Sequence, residues 1–575
     1  MKMKRLLFGL LFCSLFCACS DKEVTDVEPS KVFTDDVAYI NVRLADVSAT
    51  STKAALDYEA GSEDENGVVN AFFYFYDANG VFVSEGRAWN GGTANTESNS
   101  NIEFESNTIV VLKGLQKKNY PKYIVTVLNK AENFTAPATL DEMEKALAGG
   151  ITTTSDNKEY FTMSTSSYAR AEGTTEVKYF VTEIQAENFS LEPIPASGIS
   201  NVVSIYVERL AAKVTLKLGD LEATTIEGKT YYKIPATVAG ADNATEVGST
   251  YEIAAENLYI ELLGWKLNGT ANNTNLIKNI DINWTEAALG FVWNKPADFR
   301  SFWGKSFNYG VADYVYTATQ EEGKMCPLDY FSLEEGLVEL GSSAYCAENT
   351  NDAAILNVAG NFPAAVTSIL LKARICDENG EPLDLVRANG VLFLQDAYIK
   401  YVLNLMEASN NLNVWLKGEQ TAEGAESYVQ LDENSVELVH IANGAVEVQL
   451  VEGLTLYQKE GEEYTEITDQ TVINKLLAEK SAGAIGYNGG EMYYNIPIEH
   501  LNGISADAEE IEEANYGVVR NHHYVVTITK LEKIGRGIFD PEEAIVPQED
   551  EEEAYYVGAD IDVLAWKRVS QNVEL

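Results

Sequence analysis

Cys19 is the first residue of the chain whose setting points to chemistry. It closes the run Phe16-Cys17-Ala18-Cys19 at the end of an apolar stretch from Leu6 to Ala18, which Lys2, Lys4 and Arg5 introduce. A basic start, a short apolar core and a small residue before the cut describe a secretory signal, whereas a membrane span needs about 20 apolar residues. A cysteine placed directly after that small residue offers a thiol that can carry a diacylglyceryl chain and tether the processed protein to a bilayer. The bland alternative is a plain signal with Cys19 as an ordinary residue. A second reactive point is the Lys53–Ala54 bond. Ser48 to Thr52 before it is small and polar, and Glu59 to Gly67 after it is acidic and contains glycine. An exposed basic residue in such a stretch is what a trypsin-like protease needs. Arg43 is the other basic candidate, but it lies inside an alternating run.

Catalytic constellations are not legible. His440, His500, His522 and His523 are the only histidines, none at metal-ligand spacing to another histidine or to a cysteine. His522 and His523 are adjacent, so on a strand they face opposite sides and cannot chelate one ion together. No GxSxG elbow, P-loop or GxGxxG is present, and paired carboxylates for glycoside hydrolysis cannot be picked out of 88 acidic residues. No enzymatic function, cofactor or metal is expected. Six tryptophans, Trp89, Trp265, Trp284, Trp293, Trp303 and Trp415, offer either core packing or platforms for sugar rings. The second use would suit a surface lipoprotein that binds polysaccharide.

With 575 residues the chain exceeds what one core supports, so two or more domains are expected. The formal charge of −46 repels polyanions and makes nucleic acid an unsuitable partner. Its densest acidic run, Glu549 to Glu553, reads as a solvated linker rather than a metal site. Past the signal only Cys326, Cys346 and Cys376 remain. That is too few to staple the fold, with Cys346–Cys376 the preferred pair if one bridge forms.

The elements that must position these residues are strands. Val, Thr, Tyr and Phe recur in alternating runs, the signature of an all-β chain. Val69 to Tyr76 and Val81 to Val83 flank Asp77-Ala78-Asn79-Gly80, a hairpin whose Asn-Gly supplies positive φ angles. Tyr123 to Leu128 is another strand. Thr139 to Ala148 is the clearest short helix, with a Thr139/Glu142 capping box and Gly149 at its end. Val203 to Leu218 reads as two strands interrupted at Arg209 to Ala211, where the domain boundary falls. Further strands are expected at Leu258 to Leu267, Ser368 to Ile375, Ala397 to Leu405, Ser435 to Leu450 and Tyr524 to Leu531. Two β-sandwich domains of transthyretin-like or Greek-key type, with few short helices, follow. The division is 1–19 signal and lipobox, 20–53 propeptide, 54–210 and 211–548 sandwich domains, and 549–575 acidic linker and last strand.

Two terminal segments alternate most cleanly. Asp36 to Val47 puts Ala38, Ile40, Val42 and Leu44 on one face. Asp560 to Leu575 does the same with Ile561, Val563, Ala565, Val569, Val573 and Leu575, with no proline or turn residue between them. They are either the first and last strands of their own domains or an exchange pair. In the second case a cut at Lys53 frees the first strand and leaves a groove with two rows of unpaired backbone groups, which the last strand of a neighbouring copy fills. Such a head-to-tail contact does not close, so it builds a filament.

These residues also carry a resemblance. The lipobox around Cys19 with the acidic Asp21-Lys22-Glu23 leader, the strand and basic residue before Ala54, Val207-Glu208-Arg209-Leu210-Ala211-Ala212-Lys213-Val214, Tyr345-Cys346-Ala347-Glu348-Asn349-Thr350, and Val519-Arg520-Asn521-His522-His523-Tyr524 with the final strand containing Trp566 resemble the fimbrillins of type V pili. The likeness runs over nearly the whole chain and is greatest to the major shaft subunit of the minor (short) fimbria. The resemblance implies a lipoprotein precursor, palmitoylated at Cys19 and carried to the outer membrane. It further implies loss of the first strand to a trypsin-like protease at Lys53, with Arg43 as alternative, and donor-strand exchange through Ile561 to Leu575. The product would be an adhesive, biofilm-forming fimbrium at the cell surface, with copies of itself and tip and anchor subunits as partners.

Overall fold

The computed structural model describes residues 37–47, 61–62, 64–87, 93–94, 102–113, 115, 121–130, 134–166, 180–190, 202–234, 258–280, 303–318, 322–409, 413–418, 426–500, 510–512, 514–531, 533–548, 557–565 and 567–569. Strands dominate, and the chain is all-β with a few helices.

The first sheet contains β1 (Val37–Val47), β2 (Ala71–Tyr76), β3 (Phe82–Arg87), β4 (Ile102–Lys113), β5 (Tyr123–Leu128), β6 (Met163–Thr165) and β7 (Val203–Arg209), in the order β3-β2-β5-β6-β7-β1-β4. β2 is apolar at every position because both its faces are covered. Ala71, Phe73 and Phe75 enter one core with Ile40, Val110, Ile124 and Ile205, while Phe72, Tyr74 and Tyr76 enter another with Val125, Val127 and helix α1 (Leu140–Glu144). The sheet curls over the first core until β3 meets β4. Gly86 sits there because a Cβ would collide with Val110.

Local chemistry sets the turns. Asp77 Oδ1 accepts hydrogen bonds from the Asn79 and Val81 amides at 2.8 and 3.0 Å, and only Gly80 takes a positive φ, 75°. The expected pair of left-handed residues is thus a single one, since the Asp77 side chain already bends the backbone at Asn79. α1 is shorter than expected and ends at Glu144. Thr139 Oγ1 accepts from the Glu142 amide at 3.2 Å, but Glu142 Oε2 reaches past Thr139 to the Ala138 amide at 2.9 Å.

Leu210 is the break between two strands that enter different sheets. β8 (Ala211–Leu218) leads the second set, with β9 (Tyr259–Asn268), β10 (Ser343–Ala347) and β11 (Ser368–Cys376) following. Their core joins Val214 and Leu216 to Trp265, Ile369, Leu371, Tyr494, Tyr524 and Val526. A further unit follows in the chain: β12 (Leu385–Ala388), β13 (Val391–Leu394), helix α2 (Gln395–Ala408), β14 (Val414–Lys417), β15 (Tyr428–Gln430), β16 (Val436–Ala442), β17 (Ala445–Leu450), β18 (Leu456–Glu460), β19 (Glu463–Ile467), helix α3 (Thr471–Ser481) and β20 (Ala484–Tyr487). It has its own core of Val386, Phe393, Val402, Met406, Val448, Leu456 and Leu477. The chain then returns through β21 (Glu491–Pro497), β22 (His522–Leu531), β23 (Arg536–Gly537), β24 (Val557–Ala565) and β25 (Lys567–Val569). One face of the C-terminal sandwich is β10-β8-β22-β24-β25; the other runs from the 223–226 and 229–233 hairpin through β9-β11-β21-β23.

Three expectations are corrected. Ala397 to Leu405 is not a strand but the middle of α2, where Tyr398, Ile399, Val402, Leu403 and Met406 are buried at helical spacing. Ser435 to Leu450 is a hairpin, turned by Asn443 and Gly444 with φ of 49° and 74°. Cys346 and Cys376 are not bridged; both are free thiols, as is Cys326.

Candidate functional site

β1 lies inside its sheet rather than at the rim. It runs parallel to β7, with Val42, Leu44 and Asp46 opposite Val203, Ile205 and Val207. It runs antiparallel to β4, with Ala38 and Ile40 opposite Leu112 and Val110. Phe189 and Ser190 complete the β7 side against Ile40 and Tyr39. The alternation read from the sequence therefore falls in register with apolar core positions on both neighbours, and Ile40 itself is 0% exposed. Arg43 stands in mid-strand opposite Ser204 and Asn107. Taking β1 out of this position would strip partners from β4 and β7 together.

The other terminal segment occupies the opposite kind of position. β24 pairs antiparallel with β22, placing Ile561, Val563 and Ala565 opposite Val526, Tyr524 and His522. Beyond it, among the described residues, only β25 follows, with Val569 opposite Val563. The run expected as one uninterrupted strand is thus two, folded back on itself between Ala565 and Lys567. Its own domain holds it at the outer end of a sheet.

Between the sheets, five stretches distant in sequence meet. Arg209 ends β7, and its Nε donates to the Glu65 carbonyl at 2.9 Å. Nη1 donates to Asn521 Oδ1 at 3.3 Å, and Nη2 bonds Asn66 Oδ1. The Glu65 carboxylate accepts from the Tyr345 hydroxyl at 2.5 Å and lies 2.9 Å from Lys213 Nζ. Burial alone would raise this carboxyl, but Tyr345, the Ser62 amide and Lys213 together hold it below the usual carboxylate range. Deeper in, Arg520 and Glu348 form a fully buried ion pair at 3.2 Å. Arg520 also donates to the carbonyls of Leu276 at 3.3 Å and Asn275 at 2.6 Å, so its charge is matched and its donors are used. Glu65, within the acidic Glu59 to Gly67 stretch, is buried, and its carboxylate joins the two sheets through Tyr345 and Lys213. No local signal marks it, since its partners lie at 209, 213 and 345.

The remaining sequence candidates divide by burial. Trp265 and Trp303 are core residues at 0% exposure, closed to any ligand. Trp415 lies half-buried and packs edge-on to Tyr464, which stacks on Tyr428, with Lys459 over both the Trp415 and Tyr464 rings. His500 Nδ1 is 2.8 Å from the Tyr524 hydroxyl, and burial with nearby Lys278 pulls its pKa down to about 3. His522 Nδ1 bonds the Arg520 carbonyl, His523 Nε2 bonds Thr215 Oγ1, and His440 Nε2 bonds Glu543 Oε2. Among the described residues no group of three or more His, Cys, Asp or Glu could hold a metal ion. Cys19, Lys53, Ala54, Val573, Leu575, Trp89, Trp284, Trp293, Trp566 and the Glu549 to Glu553 run lie outside the described residues.

Solved structures of several proteins are similar over most of the chain. A candidate cell adhesion protein from Parabacteroides distasonis is 11% identical, with 92% of this chain and 98% of that one covered and a TM-score of 0.34. The tip fimbrial protein Mfa3 from Porphyromonas gingivalis, with a C-terminal truncation, is 10% identical over 91% and 99% of the two chains, TM-score 0.29. A fimbrilin (fimA) from Porphyromonas gingivalis W83 is 12% identical over 93% and 98%, TM-score 0.30. No match was found among curated proteins. Residues 486–572, from the end of β20 through the last strands, match the family model Fimbrillin_C, the C-terminal region of fimbrillin, the major fimbrial subunit protein type IV.

Proposed function

We propose that the chain is a structural shaft subunit of an adhesive cell-surface fimbria, closest in kind to the major subunit of a minor (short) fimbria. It is made as a lipoprotein precursor held at Cys19, freed by a trypsin-like cut after Lys53, and polymerised by donor-strand exchange. One observation carries this reading: β1 is interior to its sheet, while β24 and β25 close the outer end of theirs. Loss of an interior strand opens a slot with two unpaired edges, which is unstable until another strand fills it. Loss of a peripheral strand leaves β10-β8-β22 intact. The acceptor is therefore the N-terminal domain (54–210), and the donor is the segment after the 211–548 domain of another copy. Since β24 pairs with its own β22, donation begins with release from that partner. The fimbrillin match over 486–572 includes this segment as far as residue 572.

Trypsin treatment of the purified, unlipidated precursor, followed by N-terminal sequencing and electron microscopy, tests the proposal. Chains beginning at Ala54 should form filaments, and clipped chains that stay monomeric would refute it.

A second reading, a surface lipoprotein that binds polysaccharide, draws on the Trp415, Tyr428 and Tyr464 cluster. Deleting Val569 to Leu575 separates the two. A pilin stops polymerising, while a sugar binder keeps its ligand.

A further inference from the structure

The unit between β12 and β20 does more than lengthen the C-terminal domain, because the tip of its β16–β17 hairpin grips the chain that leads to the last strand. Arg536 Nε donates to the Asn443 carbonyl at 2.8 Å, and the Asn443 amide donates to Glu543 Oε1 at 2.8 Å. The other Glu543 oxygen lies 2.9 Å from His440 Nε2, and the His440 ring is near-parallel to Phe539. Gly444 and Gly486 leave no room for a Cβ against Gly537 and Phe539. The same segment is tied to the sandwich. β23 pairs with β21, the Ile538 amide donates to the Glu491 carbonyl, and the Ile545 amide donates to the Phe331 carbonyl. Asn268 Nδ2 donates to the Ile545 carbonyl at 2.9 Å, and Ile538 and Ile545 are buried against Leu333, Leu370 and Tyr493. β24, by contrast, has ladder partners only in β22 and β25 among the described residues.

We propose that this hairpin tip and the segment Arg536 to Ile545 form an anchor that keeps the C-terminal sandwich closed up to Gln548 while the last strand leaves, an inference that rests on the strand exchange proposed above. Without an anchor, pulling β24 away would continue into β23 and then β21, opening the core from its edge. With it, release stops before Gln548, and tension along a fibre is borne by bonds to two separate units. Regions of one fold open independently when they are held by separate bonds; the backbone pairing of β24 is to β22 and β25, whereas Arg536 to Ile545 has backbone bonds to β21 and Phe331.

Native-state hydrogen exchange on the full, unclipped chain tests the anchor. Amides of Val557 to Ala565 should exchange at least about tenfold faster than those of Ile538 and Ile545. Replacing His440 and Glu543 together by alanine should bring the two rates within about threefold while amides of Ser368 to Cys376 keep theirs. Phe539→Ala provides the same comparison if the double variant disturbs β11. A single common rate in the unaltered chain overturns the anchor, as does a gap that both variants leave intact. Filament formation by the clipped chain is scored separately: a rate gap without filaments supports the anchor and counts against strand exchange.

Discussion

Removing β1 after a cut at Lys53 should cost the N-terminal domain most of its stability. Ile40 is fully buried, and Val110, Leu112, Phe189, Val203, Ile205 and Val207, all at or below 6% exposure, stand opposite β1 positions. Full burial of such a side chain contributes about 1.5–3 kcal/mol. If Ile40 loses all of this and the six neighbours lose half, the deficit is roughly 6 to 12 kcal/mol. Ladder hydrogen bonds and the backbone entropy of an ordered strand are comparable in size and opposed, so apolar burial decides the sign. The deficit matches the whole stability of a typical domain, about 5–15 kcal/mol. The assay is calorimetry on clipped chains from which the β1 peptide has been separated under mild denaturant. The N-terminal transition should fall by at least about 15 °C or vanish, the C-terminal one should hold, and a synthetic peptide of residues 37–47 should restore the first. A β1-free chain melting within a few degrees of the precursor would refute the reasoning.

Glu348→Gln leaves the Arg520 guanidinium buried without its counter-charge, and urea unfolding of the C-terminal sandwich should register a loss of about 3–5 kcal/mol. Adding Arg520→Met should recover most of it, and a single-variant loss under about 1 kcal/mol would contradict the burial argument. His500, held at about pKa 3 in the folded chain, takes up its proton first in the unfolded chain near pH 6.5. Its contribution is complete above that pH and is lost as pH falls towards 3, on the order of 4 kcal/mol; a stability difference between His500→Gln and the parent that does not vary between pH 7 and 4 would be the contrary result. Burial pushes the Cys346 thiol up to about 12 and Cys376 to about 11, so iodoacetamide at pH 8 should modify Cys326 in the native chain well before either. Mass spectrometry of tryptic peptides reads the order.

Strand-forming composition and period-two alternation are local properties, and they mark the strands at 71–76, 123–128, 203–218, 259–268, 368–376 and 522–531 from residues a few positions apart. This signal fails at α2, where Tyr398, Ile399, Val402, Leu403 and Met406 satisfy a helical spacing within a run equally rich in strand formers. Nor does it separate β16 from β17, because the Asn443-Gly444 turn lies within a continuous strand-like pattern. The Trp265 and Trp303 rings have the same composition as Trp415, and only the packing around each distinguishes core from surface.

The amino-acid order alone was enough to establish an all-β chain, a strongly acidic charge and two alternating terminal segments, since each depends on side-chain type and short-range spacing. It could not say that β1 is interior and β24 peripheral, nor that Glu65 meets Lys213 and Tyr345, nor that Glu543 meets His440. Those facts depend on which strands become neighbours. That choice is made by the joint burial of residues hundreds of positions apart, an energy that no window along the chain contains.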